Sequence, residues 1–96
     1  MKLVYSVEAV ADLVRLREFI ATQDPSAAAR VADELIARMV YLRQFPELGR
    51  SVLLAPDPGI MRDAIFGRYV IRYTIHSTAI VVLRIWHQFE GRSTGA

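Results

Sequence analysis

Apolar residues recur at helical spacing in the first half of the chain and at strand spacing in the second. Ala9, Leu13, Leu16 and Ile20 follow the i, i+4, i+7, i+11 rhythm of one helical face. A helix is therefore predicted from about residue 7. Ser6 supplies its N-cap, and Glu8 places a carboxylate in the first turn, where the helix dipole favours one. Asp12, Arg15 and Glu18 recur at i, i+3 on the opposite side and read as a solvated face. The stretch "TQDPS" (22–26) closes this helix and opens another, with Asp24 as N-cap and Pro25 at the first helical position. The second helix carries Ala28, Val31, Ala32, Leu35, Met39 and Leu42 on one face and stops at "FP" (45–46). So short a connection sets the two helices antiparallel and side by side. The run Ala27, Ala28, Ala29 leaves room for their close approach.

Ahead of the helices, "LVY" (3–5) is a short β-rich run. Behind them, "ELGRSVLLAPDPG" (47–59) carries two turn signals and reads as irregular. The remainder reads as a three-stranded antiparallel meander. Its strands are "IMRDAIF" (60–66), "RYVIRYTI" (68–75) and "AIVVLRIWH" (79–87), with turns at Gly67 and "HST" (76–78). The middle strand alternates cleanly, with Tyr69, Ile71, Tyr73 and Ile75 on one face and Arg68, Val70, Arg72 and Thr74 on the other. The last strand is apolar on both faces, as a strand inside a sheet should be. Ala79, Val81, Leu83 and Ile85 form one row, and Ile80, Val82, Arg84 and Trp86 the other. The expected architecture is α+β in the order β-α-α-β-β-β, one domain over residues 1–96. A helical hairpin (about 7–45) packs on one face of a small, mostly antiparallel sheet whose meander spans about 60–87, followed by a short C-terminal tail. The other sheet face is then the open one, and Arg68, Arg72, Arg84 and Trp86 are expected to share it.

Composition adds two constraints. An apolar fraction of 53% in 96 residues is high for so small a chain, so part of that surface is expected to belong to a partner. The absence of cysteine excludes disulfides and thiolate metal sites and suits a reducing cytosol. The N-terminus lacks a signal-type apolar region, and no apolar run approaches the roughly 18 residues of a membrane span, so a cytoplasmic location without membrane association is expected. Charge is unevenly spread. Residues 1–48 carry six cations against seven acids (−1), whereas residues 49–96 carry six arginines against three acids (+3). The asymmetry points to an acidic or polyanionic partner for the second half.

Three strings, "YSVEAVADLVRLREFIA", "DPSAAARVADELIARMVYLRQFPELGR" and "GRYVIRYTI…IVVLRIWH", together resemble the RelE/ParE superfamily of bacterial type II toxins over roughly residues 3–92. The resemblance implies a small toxin in a hetero-oligomer with a cognate antitoxin, whose acidic C-terminal segment wraps and neutralises it. RelE-like members are ribosome-dependent mRNA endonucleases; ParE-like members share the fold, poison DNA gyrase and perform no chemistry. RelE-like chains often show "YRLVY" in the middle strand, with its arginine at the cleaved phosphate. Here that stretch is "YVIRY", and Val70 stands where the arginine would be. Arg72 lies one alternation further along, roughly 6–7 Å away, and Lys2 is the only lysine. The double-helix strings and "FPELGR" look ParE-like.

The resemblance thus implies a gyrase inhibitor of the ParE-like branch. It would have no catalytic residue and a target- or antitoxin-binding surface built from Arg68, Arg72, Arg84, Trp86, His87 and Arg92. The alternative is a metal-independent mRNA endonuclease. In it, His87 and Glu90 would be the acid and base, and Arg72 and Arg84 the phosphate ligands. A second alternative is an inactive homologue kept for antitoxin binding. Trp86 and Phe89 suit either base stacking or burial, and His76 reads as surface. No metal-ligand spacing, Gly-rich phosphate loop or cofactor signature is present.

Overall fold

The computed structural model describes residues 1–57 and 59–88. In chain order these form β1 (Lys2–Tyr5), α1 (Val7–Ala21), α2 (Pro25–Leu42), β2 (Arg50–Ser51), β3 (Met61–Phe66), β4 (Tyr69–Ile75) and β5 (Ala79–His87). The sheet order is β1-β5-β4-β3-β2, with β1 parallel to β5 and the other pairs antiparallel. The expected helical hairpin and meander are both present. Ser6 Oγ accepts from the Ala9 N–H at 3.0 Å, and Asp24 Oδ1 from the Ala27 N–H at 3.1 Å, which sets where each helix begins. Leu16, Leu35, Met39 and Leu42 from the helices bury against Ile71, Tyr73, Ile80, Val82 and Ile85 of the sheet.

Two features depart from the sequence reading. The stretch 47–59 is not wholly irregular, because Arg50 and Ser51 pair with Asp63 and Arg62 as β2. Tyr73 is what pins this segment. Its hydroxyl donates to the Pro46 carbonyl at 2.6 Å and accepts from the Gly49 N–H at 2.8 Å. The Arg62 guanidinium adds donors to the carbonyls of Gly49 at 2.8 Å and Glu47 at 3.3 Å. Gly49 is required here, since a Cβ would stand 2.7 Å from the Tyr73 oxygen.

The second departure is a bulge in β5. Tyr73 pairs with Val82 but Arg72 pairs with Arg84, so Leu83 is the extra residue. Facing therefore changes parity along the strand. Ile80 and Val82 point into the core before the bulge and Ile85 after it, all fully buried. The two rows expected from strict alternation are each cut in half.

The bulge sits where β1 ends. Beyond Val82, α1 replaces β1 as the neighbour of β5 and satisfies its backbone with side chains. Ser6 Oγ donates to the Leu83 carbonyl at 2.8 Å, Asp12 Oδ2 accepts from the Ile85 N–H at 2.8 Å, and Arg15 donates to the Ile85 carbonyl at 3.3 Å. Asp12 is consequently 2% exposed. The solvated face expected for Asp12 and Arg15 is in fact a cover for an open strand edge.

Candidate functional site

The sheet carries its functional candidates on two separate faces. On the face away from the helices, the register lines up Asp63, Arg72 and Arg84 on three adjacent strands. Arg72 grips Asp63 with both arms of its fork, Nε to Oδ1 at 2.8 Å and NH2 to Oδ2 at 2.9 Å. Its guanidinium also lies over the Trp86 ring, 5.2 Å from the centroid. Arg84 reaches off the strand edge to Asp12, at 2.8 Å and 3.2 Å. Asp12 takes a further donor from Arg15. The result is a row in which carboxylates flank the paired cations, Asp63, Arg72, Arg84, Asp12, Arg15, rather than a bare basic patch.

The electrostatics follow from these contacts. Burial would raise the Asp12 carboxyl, but donors from Arg84, the Ile85 N–H and Arg15 outweigh it and hold the group below the usual carboxylate range. Hydrogen bonding to Asp63 raises Arg72, and hydrogen bonding to Asp12 raises Arg84, so both stay charged. Val70, at the position of the nuclease arginine, is 7% exposed and opposite Trp86 on this same face.

The other candidates lie on the helix side, at the end of the sheet where β3 turns into β4. A cleft of about 450 Å³ opens there between α2 and the sheet. Val31, Leu35, Phe66 and Tyr69 give it apolar walls, and Glu34, Arg38, Arg68 and His87 supply the polar ones. His87 packs edge-on against Tyr69, with ring centroids 5.1 Å apart, and the Phe19 ring of α1 lies tilted to it at 6.5 Å. Arg38 lies over the Phe66 ring at 5.4 Å.

The structure thus brings Arg72, Arg84 and Trp86 together and places Arg68 and His87 at a different site. Arg68 lines the cleft rather than joining the other arginines on the open face. His87 and the pair Arg72 and Arg84, grouped in the endonuclease alternative, fall on opposite sides of the sheet. Glu90 and Arg92 lie outside the described residues, as does Phe89. Thr74 Oγ1 lies 2.9 Å from His76 Nε2, which gives that turn histidine a local partner. No cluster of metal-ligating side chains occurs among the described residues.

Sequence reasoning missed Asp12, Asp63, Arg38 and Tyr69 as members of these sites. Signals for two of them were present. Asp12 is three residues after Ala9 and four before Leu16, which puts it beside the buried stripe. Counting outward from the two-residue turn at Gly67 and Arg68 sets Asp63 opposite Arg72. Nothing in the sequence announces the cleft, which depends on how far α2 reaches across the sheet.

Comparison with known proteins agrees with the fold. Residues 3–90 match the family described as the ParE toxin of the type II toxin–antitoxin system parDE. The chain is 40% identical over 90 residues to "Toxin RelE1" of Caulobacter vibrioides, covering 91% of this chain and 92% of the relative. It is 35% identical over 85 residues to "Toxin RelE3" of the same organism, covering 84% and 87%. A solved structure titled "Chromosomal ParDE TA system from P. aeruginosa" superposes with a TM-score of 0.76 at 20% identity, covering 91% of this chain and 95% of the other.

Proposed function

The chain belongs to the ParE toxin family of type II toxin–antitoxin systems, and on that premise we propose that it acts by protein binding, inhibiting DNA gyrase without chemistry of its own and neutralised by a cognate antitoxin. The observation that carries this reading is the commitment of Arg72 and Arg84 to carboxylates. A group that stabilises a cleaving phosphate must offer its donors to the incoming oxygens. Here both arms of Arg72 are turned to Asp63, and both bonds of Arg84 go to Asp12. His87, the acid–base candidate of the endonuclease alternative, faces the other side of the sheet among aromatic rings. Trp86 next to the charge row gives the open face the mixed apolar and polar character of a protein-binding surface. No helix among the described residues is long and apolar enough to cross a membrane.

The names of the Caulobacter relatives favour a second reading, the ribosome-dependent mRNA endonuclease. That reading requires Arg72 and Arg84 to leave their carboxylates when RNA binds. A supercoiling assay with purified gyrase, run beside an in vitro translation assay, separates the two. Inhibited supercoiling with normal translation is the expected result. Unimpaired supercoiling at large toxin excess, with mRNA cut in translating ribosomes, would reverse the assignment.

A further inference from the structure

We propose that the outer edge of β1 is a self-association site. A second copy of this chain pairs antiparallel with it about a two-fold axis through Val4, and the two five-stranded sheets join into one.

The hydrogen bonds of β1 show which of its backbone groups are already engaged. The Lys2 N–H donates to the Thr78 carbonyl and the Ser6 N–H to the Val82 carbonyl, both at 2.9 Å. Backbone direction alternates along a strand, so Lys2, Val4 and Ser6 turn toward β5 while Leu3 and Tyr5 turn away from it. The N–H and C=O of Leu3 and Tyr5 therefore face outward, and no backbone partner for them occurs among the described residues. Beyond Val82, side chains of α1 cover the edge of β5. At β1 the comparable bond is from Arg43, which donates to the Met1 carbonyl at 3.0 Å and leaves Leu3 to Tyr5 open. Of the devices that keep edge strands apart, β1 shows only its short length and one lysine.

The occupant follows from the register. With Val4 on the axis, Leu3 of each copy stands opposite Tyr5 of the other, and each such pair exchanges both of its hydrogen bonds. Every outward group of both strands is then satisfied. Lys2 is the only charged side chain in residues 1–7. It falls opposite Ser6 of the second copy, so no like charges meet. Met1, Val4 and Val7 are exposed, Val7 by 82%, and the same register sets Met1 against Val7 and Val4 against its own copy. Strands paired in one sheet share its faces, so both helical hairpins lie on one side and both open faces on the other. The surface of Arg72, Arg84 and Trp86 is left uncovered and is doubled. About seven residues from each copy fall short of the roughly 20–30 a side in a standard interface, so the dimer forms with rising concentration.

The test uses the full chain with any tag at its C-terminus, away from β1. Sedimentation of wild type across the micromolar range is expected to shift from one chain toward two. Val4→Lys sets two ammonium groups side by side on the axis without touching the β1–β5 ladder, and should raise the dissociation constant about tenfold or more. Val4→Thr keeps a β-branched side chain and should stay within about threefold of wild type. Val4→Cys gives a more direct readout, because the chain has no other thiol. In this pairing the two Cα atoms at position 4 stand about 4.5 Å apart, within the span of a disulfide. Oxidation with diamide should link Val4→Cys into covalent dimers much faster than Val14→Cys, which is similarly exposed but lies on α1, away from the axis. Thermal melts verify folding, and should Val4→Lys fail to fold, the two cysteine variants carry the test. A wild-type chain that stays monomeric throughout, unchanged association in a folded Val4→Lys, or equal linking of the two cysteine variants would overturn the dimer. The toxin reading stands apart from each of these results.

Discussion

At the scale of single residues, Asp12 is the position on which the most contacts depend. Its two oxygens take donors from Arg84, Arg15 and the buried Ile85 N–H. Asp12→Ala would orphan that N–H, at about 1–3 kcal/mol. The full penalty of a broken buried ion pair does not apply, because Arg84 and Arg15 are nearly half exposed and can turn to water. Asp12→Asn keeps an acceptor for Ile85 and should cost less in urea denaturation. Equal losses for the two variants would assign the stabilisation to charge and not to the Ile85 hydrogen bond. The pH dependence follows from the lowered carboxyl. A group whose pKa falls on folding stabilises the native state above its unfolded value and loses that contribution as pH drops through the folded one. The gap in stability between wild type and Asp12→Asn should therefore be constant near neutrality and close below about pH 4. Tyr73 holds a comparable position at the other edge of the sheet. Tyr73→Phe leaves the buried Gly49 N–H without its acceptor and should cost about 1–3 kcal/mol by the same assay. Gly49→Ala should cost a similar amount, about 1–3 kcal/mol, because the buried ring it meets cannot move aside.

At the scale of elements, α1 acts both as a packed helix and as a surrogate strand. Ser6 joins the two roles, since its hydroxyl caps the helix at Ala9 and also donates to the Leu83 carbonyl. Ser6→Ala loses both bonds, and a fall of about 1–2 kcal/mol is expected in chemical denaturation. A fall no larger than that of an ordinary cap would mean that water replaces Ser6 at Leu83. These features also mark how far the sequence could be read. Helices and strands were legible because their signals are local: caps at Ser6 and Asp24, Pro25, and the alternation from Tyr69 to Ile75. The parallel β1–β5 pairing, β2 and the bulge at Leu83 were not, since each depends on residues far apart in the chain. β2 exists because Tyr73 and Arg62 hold the 46–49 segment, and Leu83 bulges where β5 exchanges β1 for α1. The candidate face was half legible for the same reason. Arg72, Arg84 and Trp86 do share it, but their partners and the placement of Arg68 and His87 come from turn geometry and helix reach.

At the scale of the whole molecule, the fold takes up part of the basic charge of the second half in ion pairs. Of the second-half arginines, Arg72 meets Asp63 from its own half and Arg84 meets Asp12 from the other, while Arg62 is turned to the carbonyls of Gly49 and Glu47. The two arginines on the open face are therefore ion-paired and do not form a bare positive patch. This bears directly on the choice between gyrase and RNA as target, because phosphate binding releases counterions and leaves a signature in salt dependence. Wild type is expected to bind a 20-nucleotide single-stranded RNA weakly, with a shallow dependence of log K on log salt. Asp63→Asn removes the acceptor that holds the Arg72 fork while leaving strand register and side-chain size intact. If the pair withholds Arg72 from phosphate, the freed guanidinium should strengthen RNA binding at low salt and steepen the slope by about 0.7, the value for one added phosphate contact on a single strand. An unchanged slope would mean that Arg72 already engages phosphate in the wild-type chain. In that case the ion pair is only a resting state, and the endonuclease reading gains the ground that the protein-binding reading loses.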